Sequence, residues 1–227
     1  MAEQHHHHHH STQATGFHLK LKEGTQSLHD QAESGNFQIR MVNGELARLE
    51  FASFLGQMRH IHATLDPALQ AAAAVDERVD MIFNESHLRL GRIDQDLADL
   101  DHTELEEPLP ATRHFLEHLN EMSEHKPASL IGVLYVKEGA TNGNKIVAKR
   151  LRDSMGLDPD MAMGYLDPHG KDQRRCWTAF KETLNELDLT DEEQQDCVVV
   201  AQETFRMVMD ISKQIPEADP AAVASGH

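Results

Sequence analysis

Residues 17–34 read FHLKLKEGTQSLHDQAES, and within them Leu21, Thr25, Leu28 and Ala32 recur on one stripe at helical spacing before Gly35-Asn36 supplies a stop. The pattern predicts a helix over residues 17–34. Working outward, Leu46, Leu49, Phe51, Phe54, Leu55, Met58, Ile61 and Leu65 repeat the same period from about Glu45, until Asp66-Pro67 predicts a break or kink. Further helices are expected over 67–75, 83–97, 111–124, 128–155, 172–187 and 190–214. The last opens on Thr190-x-x-Glu193, a capping box. Residues 99–110 are acidic, contain proline and read as a connector. Apart from short stretches such as 197–201, nothing alternates with the period of a strand. With no internal repeat and no second apolar cluster, the expectation is an all-α fold, one multi-helix bundle over residues 17–215.

The chain has 227 residues. Residues 1–16, MAEQHHHHHHSTQATG, read as an affinity tag and linker, and 216–227 as a small, polar, disordered tail. The tag holds one acid (Glu3) and no base, so the formal charge of −17 becomes −16 without it. Such an acidic chain repels phosphate backbones and anionic headgroups, which argues against nucleic-acid and membrane partners. The apolar run 128–136 is far short of the ~20 residues that span a bilayer. A cytoplasmic protein is expected, with Cys176 and Cys197 as reduced thiols.

Two features point to chemistry. His29 follows Leu28 and lies four residues after Thr25, so the first helix projects it from the apolar stripe, with Glu33 one turn on and able to orient the ring. A metal ligand and a boundary histidine satisfied by a carbonyl both fit that position. The run Gly139-Ala140-Thr141-Asn142-Gly143-Asn144 interrupts an otherwise helical stretch. Glycines four apart strip one face of side chains, which suits either close helix packing or the approach of something flat to the backbone. Together, one ligand histidine and one bare helix would suit a planar, iron-centred macrocycle held between two helices.

Leu21 to Glu33, LKEGTQSLHDQAE, resembles the proximal-helix signature of the biliverdin-producing heme oxygenases. Leu134 to Asn144, LYVKEGATNGN, is similar to the distal-helix motif of their bacterial, phytochrome-associated branch. Phe51-(x)8-His60-Ile61-His62 and Leu184-Asn185-Glu186-Leu187 extend the likeness over most of residues 17–214. The resemblance implies heme as both substrate and cofactor. It makes His29 the iron ligand with Glu33 beside it, and Gly139, Ala140, Thr141, Asn142 and Gly143 the catalytic distal segment. Heme would be opened with O2 to biliverdin, CO and ferrous iron. Electrons would come from a ferredoxin or an NAD(P)H-linked reductase, and a phytochrome could accept the bilin. Lys22 matches the family's basic residue before the histidine, Lys181 falls where an arginine is usual, and Arg59 stands where a tyrosine is common. With Glu33, these are the implied cofactor contacts, since propionates are best held by Lys or Arg.

Three departures bear on activity, of which Arg59 in place of the tyrosine is one. Ala140 replaces an aspartate that orders distal water, leaving Thr141 or Asn142 as polar substitutes, and Asn144 replaces the second glycine of a pair, which would stiffen the helix. The alternative reading is therefore a non-catalytic heme-binding protein for storage, transport or sensing. A di-iron bundle is disfavoured because no histidine has a glutamate three residues before it. His114 and His118, with Glu117 or Glu121, read as a metal pair or as a solvated face. Cys197, beside Asp196, makes a poor thiolate nucleophile of the kind used by helical thiamin-salvage hydrolases. Lys145, Lys149, Arg150 and Arg152 read as a donor-docking patch or as an ordinary solvated face.

Overall fold

The computed structural model describes residues 14–219, and all regular structure among them is helical. Most of the expected tag, and the expected tail from residue 220, lie outside the described residues. The α-helices are α1 (Gly16–Glu33), α2 (Asn36–Val42), α3 (Arg48–Val75), α4 (Glu77–Ile82), α5 (Leu90–Asp99), α6 (Pro110–His125), α7 (Leu130–Gly139), α8 (Asn144–Met155), α9 (Gln173–Glu186) and α10 (Asp191–Gln214).

Helix α3 is the core axis. Phe51, Leu55, Met58, Ile61, Leu65 and Leu69 follow one another at intervals of three and four, and all are fully buried. Pro67 does not break the helix as expected, because α3 runs through it to Val75. A proline inside a helix costs about 3 kcal/mol. Burial of Leu65, Ala68, Leu69 and Ala72 around it offsets that cost. The short α4 carried no expectation, and the helix expected over 83–97 is instead a 3-10 turn at Glu85–His87 followed by α5. Its boundary is set from elsewhere: the Asp66 carboxylate accepts the N–H groups of Arg89 (2.9 Å) and Leu90 (3.0 Å) and so caps α5 from α3. Helix α2 carried no start signal, and its Phe37 and Met41 bury one short face.

Helix α10 backs the functional region. It packs on α1 and on α7, and small residues set the distance. A Cβ at Gly24 would lie 2.6 Å from Val198 Cγ1, and one at Gly132 would lie 2.3 Å from the Cys197 carbonyl oxygen. Gly132 therefore serves close helix packing. The expected single helix over 128–155 is two helices, α7 and α8, separated by the turn at residues 140–143, where Gly143 takes the left-handed conformation at φ 78°.

Candidate active site

On α1, His18, Lys22, Thr25 and His29 stand at i, i+4, i+7 and i+11, which places them on one face. That face looks toward α7 and α9. The His18 ring lies 6.2 Å from Tyr135 and 6.3 Å from Trp177, and Tyr135 shares a hydrogen bond with Thr25. Tyr135 and Gly139, one turn apart on α7, both meet Trp177 of α9. The indole lies 6.0 Å from the Tyr135 ring, and its edge is 3.4 Å from where a Gly139 Cβ would sit. Tyr135 of α7 thus meets this face of α1 directly, while Gly139 one turn on is covered by Trp177 of α9.

His29 is more open than the apolar stripe implied, with 49% of its side chain exposed. One step past Leu28 puts it at the stripe's edge, where Phe205 of α10 meets the ring edge-on at 6.1 Å and the other side faces solvent. Its Nδ1 is 3.5 Å from Asp30 and its Nε2 3.4 Å from Glu33, too long for strong hydrogen bonds, so either nitrogen is available as a ligand while a carboxylate steadies the other. Among the described residues, His29, Asp30 and Glu33 form the one group of three metal-type side chains with ligand atoms within 4.8 Å of one another. A half-exposed imidazole whose two nitrogens have only long carboxylate contacts is the kind of donor that the iron of a porphyrin takes.

Lys22 and Lys181 converge on this mouth from α1 and α9. Burial first, then both cations, holds the His18 imidazole below its ordinary pKa, and the Lys181 Nζ stands 5.8 Å over the Trp177 ring. Arg59 is committed elsewhere, donating from Nε to Asp94 of α5 at 2.6 Å. Of the expected docking patch, Lys149 pairs with Asp153, while Arg150 and Arg152 donate to the carbonyls of Val42 and Met161.

The turn between α7 and α8 is tied down from outside. Gln173 Nε2 donates to Thr141 Oγ1 (2.8 Å) and Asn142 Oδ1 (3.0 Å), and Thr141 donates to the Glu138 carbonyl at 2.6 Å. Asn144 Nδ2 donates to the carbonyls of Ala140 and Leu166, both at 2.9 Å, which is the stiffening expected of an amide in a glycine's place. Ala140 itself is exposed.

Sequence reasoning missed a buried polar layer behind α7. Glu138 accepts from Arg89 at 2.6 Å and from His169 at 3.0 Å, with His87 at 3.9 Å. Burial works against its carboxylate, yet these cations and donors hold it below the usual glutamate range. His62 donates from Nδ1 to Asp66 at 2.8 Å, and its buried Nε2 has no partner. Burial, with Lys137 nearby, drops the His62 pKa to about 4. The i, i+4 spacing of His62 and Asp66 was the available signal. The rival sites dissolve. His118 pairs with Glu203 while His114 is exposed, and burial pushes the Cys197 thiol up to about 12, which leaves no nucleophile.

A family profile described as Heme oxygenase matches residues 15–214. Heme oxygenase 1 of Bos taurus is 22% identical over 202 residues, covering 86% of this chain and 70% of its own length. Among solved structures, heme oxygenase-2 from Synechocystis sp. PCC 6803 in complex with heme and NO superposes with a TM-score of 0.82 at 20% identity, over 88% of this chain and 85% of that one. Heme oxygenase from Leptospira interrogans does so at 0.81 and 20%, over 88% and 100%. With the profile spanning nearly all the described residues, this chain belongs to the heme oxygenase family.

Proposed function

We propose that the chain opens heme to biliverdin, with His29 as the iron's protein ligand, Lys22 and Lys181 as the propionate partners, and the Gly139–Gly143 segment as the opposite wall. The observation that carries it is the grouping of ligand-type side chains around His29, on the helix face that meets α7 and α9. Heme, when bound, supplies both the iron that activates O2 and the ring that is cut, releasing CO and ferrous iron, while electrons come from outside.

The residues divide the remaining work. Glu33 orients His29 and strengthens it as a ligand. The lysines at the α1–α9 mouth turn the carboxylate edge toward solvent. Trp177, in ring contact with Tyr135 on one side and Phe180 on the other, helps keep water from the interior side. With a methyl group at residue 140, proton handling on the distal side falls to backbone groups and to water held by the turn. The Thr141 hydroxyl already donates to Glu138, and both amide groups of Asn142 are engaged.

No helix among the described residues is long and apolar enough to cross a membrane. The electron source is a reductase-type protein, with a ferredoxin or an NAD(P)H-linked enzyme as the finer reading and a phytochrome as the bilin acceptor. A purely heme-binding role is not favoured, since the family match runs across both walls of the site. The test is to load the protein with hemin, supply ascorbate or a ferredoxin system in air, and follow the Soret band. Decay with a broad red absorbance and extractable bilin is expected. A persistent Soret band, or bleaching without bilin, would refute the assignment.

A further inference from the structure

A neutral imidazole has one donor and one acceptor nitrogen, and a buried polar atom left unmet costs about 1–3 kcal/mol. His62 is 1% exposed. Its Nδ1–H is fixed on the Asp66 carboxylate at 2.8 Å, and that carboxylate is fixed in turn by the backbone N–H groups of Arg89 and Leu90. The tautomer is therefore set, and Nε2 keeps its lone pair. No group among the described residues meets that lone pair. The groups around it are donors. Tyr165 meets the His62 ring edge-on at 5.7 Å and 77°. The Lys137 ammonium donates to the Tyr165 hydroxyl and lies 3.6 Å from Met58 Sδ, one turn before His62 on α3. A hydroxyl that accepts from an ammonium is left with its own hydrogen to donate elsewhere.

We infer that His62, Tyr165 and Lys137 hold a buried water and form with it a proton inlet behind α7. A water there accepts from the Tyr165 hydroxyl and donates one hydrogen to His62 Nε2, which leaves its second hydrogen as a donor. The site adjoins the distal turn. Lys137 lies two residues before Gly139 on α7, and Tyr165 precedes Leu166, whose carbonyl accepts from Asn144. Lys137 is half-buried, so its ammonium reaches solvent on one side and Tyr165 on the other. The step moves one proton and no electrons. The held water passes its free hydrogen to water at the turn, the Tyr165 O–H proton moves to the held water, a Lys137 N–H proton moves to the Tyr165 oxygen, and Lys137 recovers a proton from bulk solvent. His62, kept uncharged chiefly by burial, remains the acceptor throughout and orients the water. The inlet supplies protons that the methyl group of Ala140 cannot.

The water site stands on geometry alone, whereas its use as an inlet rests on the ring-opening reading above. The site is tested without hemin, by nitrogen-15 NMR of the full chain, with the His62 Nε2 resonance assigned by its loss in His62→Gln. An unprotonated nitrogen that accepts a hydrogen bond is expected in the wild type, moving to the position of a free acceptor in Tyr165→Phe, which keeps the ring and deletes only the hydroxyl. A free-acceptor resonance in the wild type overturns the site and needs no variant to show it. The inlet is tested in the hemin-loaded protein. Tyr165→Phe and Lys137→Arg should each form bilin about 10²-fold more slowly at unchanged hemin affinity. Arginine keeps the charge but does not give up its proton, so it would rescue a purely structural role. Wild-type turnover in Lys137→Arg therefore overturns the inlet. A wild type that shows the bonded resonance yet makes no bilin refutes ring opening, and the inlet's role with it, while the water site stands.

Discussion

The two walls of the site are built in opposite ways. Helix α1 is one unbroken run of 18 residues whose buried stripe faces α10 and whose His29 is left at the edge. The opposite wall is broken at residues 140–143, and its geometry is held by bonds from distant parts of the chain: Gln173 on the turn, Leu166 on Asn144, and Arg89 and His169 on Glu138. The lesson is that the α1 wall takes its shape from local periodicity, whereas the α7–α8 wall takes its shape from polar contacts made by residues distant in the chain.

Four experiments would break or sharpen that contrast. The largest effect is expected on the ligand side, and on function alone. His29→Ala should lose the axial ligand and at least ~10²-fold in turnover, while circular dichroism melting stays within about 0.5 kcal/mol because the side chain is exposed. A substantial loss of stability would show α1 to depend on more than local periodicity. Next are two glycines of α7. Gly132→Ala forces a methyl to 2.3 Å from the Cys197 carbonyl oxygen and should destabilise by about 1–3 kcal/mol in urea unfolding. Gly139→Ala meets Trp177 only at 3.4 Å, so it should leave stability nearly unchanged and weaken hemin binding or turnover instead. Equal destabilisation by both would remove the distinction between packing and functional glycines.

The third test is pH. His62 and His87, on Asp66 and near Glu138 respectively, have pKa values near 4, driven chiefly by burial, against 6.5 for a free imidazole. The unfolded chain therefore takes up protons below pH 6.5 that the folded chain refuses until about 4, so stability present above 6.5 is lost as the pH falls through that window. Asp96 acts with the opposite sign. Burial lifts its carboxyl to about 6, so the folded state binds that proton first. Two histidines against one aspartate leave a net loss of roughly 2–3 kcal/mol between pH 6.5 and 4, and His62→Asn should flatten it. A melting temperature independent of pH over that range would remove the polar layer from the account. The smallest effect is Asn144→Gly, which deletes the donations to Ala140 and Leu166 and should cost about 1 kcal/mol, read as faster amide exchange in the turn with α1 unaffected.

Much of the bundle was legible because helix periodicity needs only neighbours three and four residues apart. The stripe of α1, the long apolar face of α3 and the Thr190 capping box all lie within that range. His29 could be singled out for the same reason, and so could the bare glycines. Pro67, read as a break or kink, lies inside a helix that runs on through it, and the single helix expected over 128–155 is cut by a turn that holds the left-handed Gly143 and is stapled at Thr141 and Asn142 from Gln173. Arg59 illustrates the same limit, because its salt bridge to Asp94 joins residues 35 positions apart.

By itself, then, the order of residues determined that the chain is helical, which helix carries His29, and where a second helix is stripped of side chains. Only the tertiary structure decided that these two meet, that Trp177, Lys22 and Lys181 gather at their mouth, and that buried Glu138 and His62 stand behind the glycine wall. The reason is physical. Local geometry follows from short-range sterics and apolar spacing, whereas caps, buried ion pairs and ring contacts exist only once burial has removed the water that would otherwise satisfy each group alone.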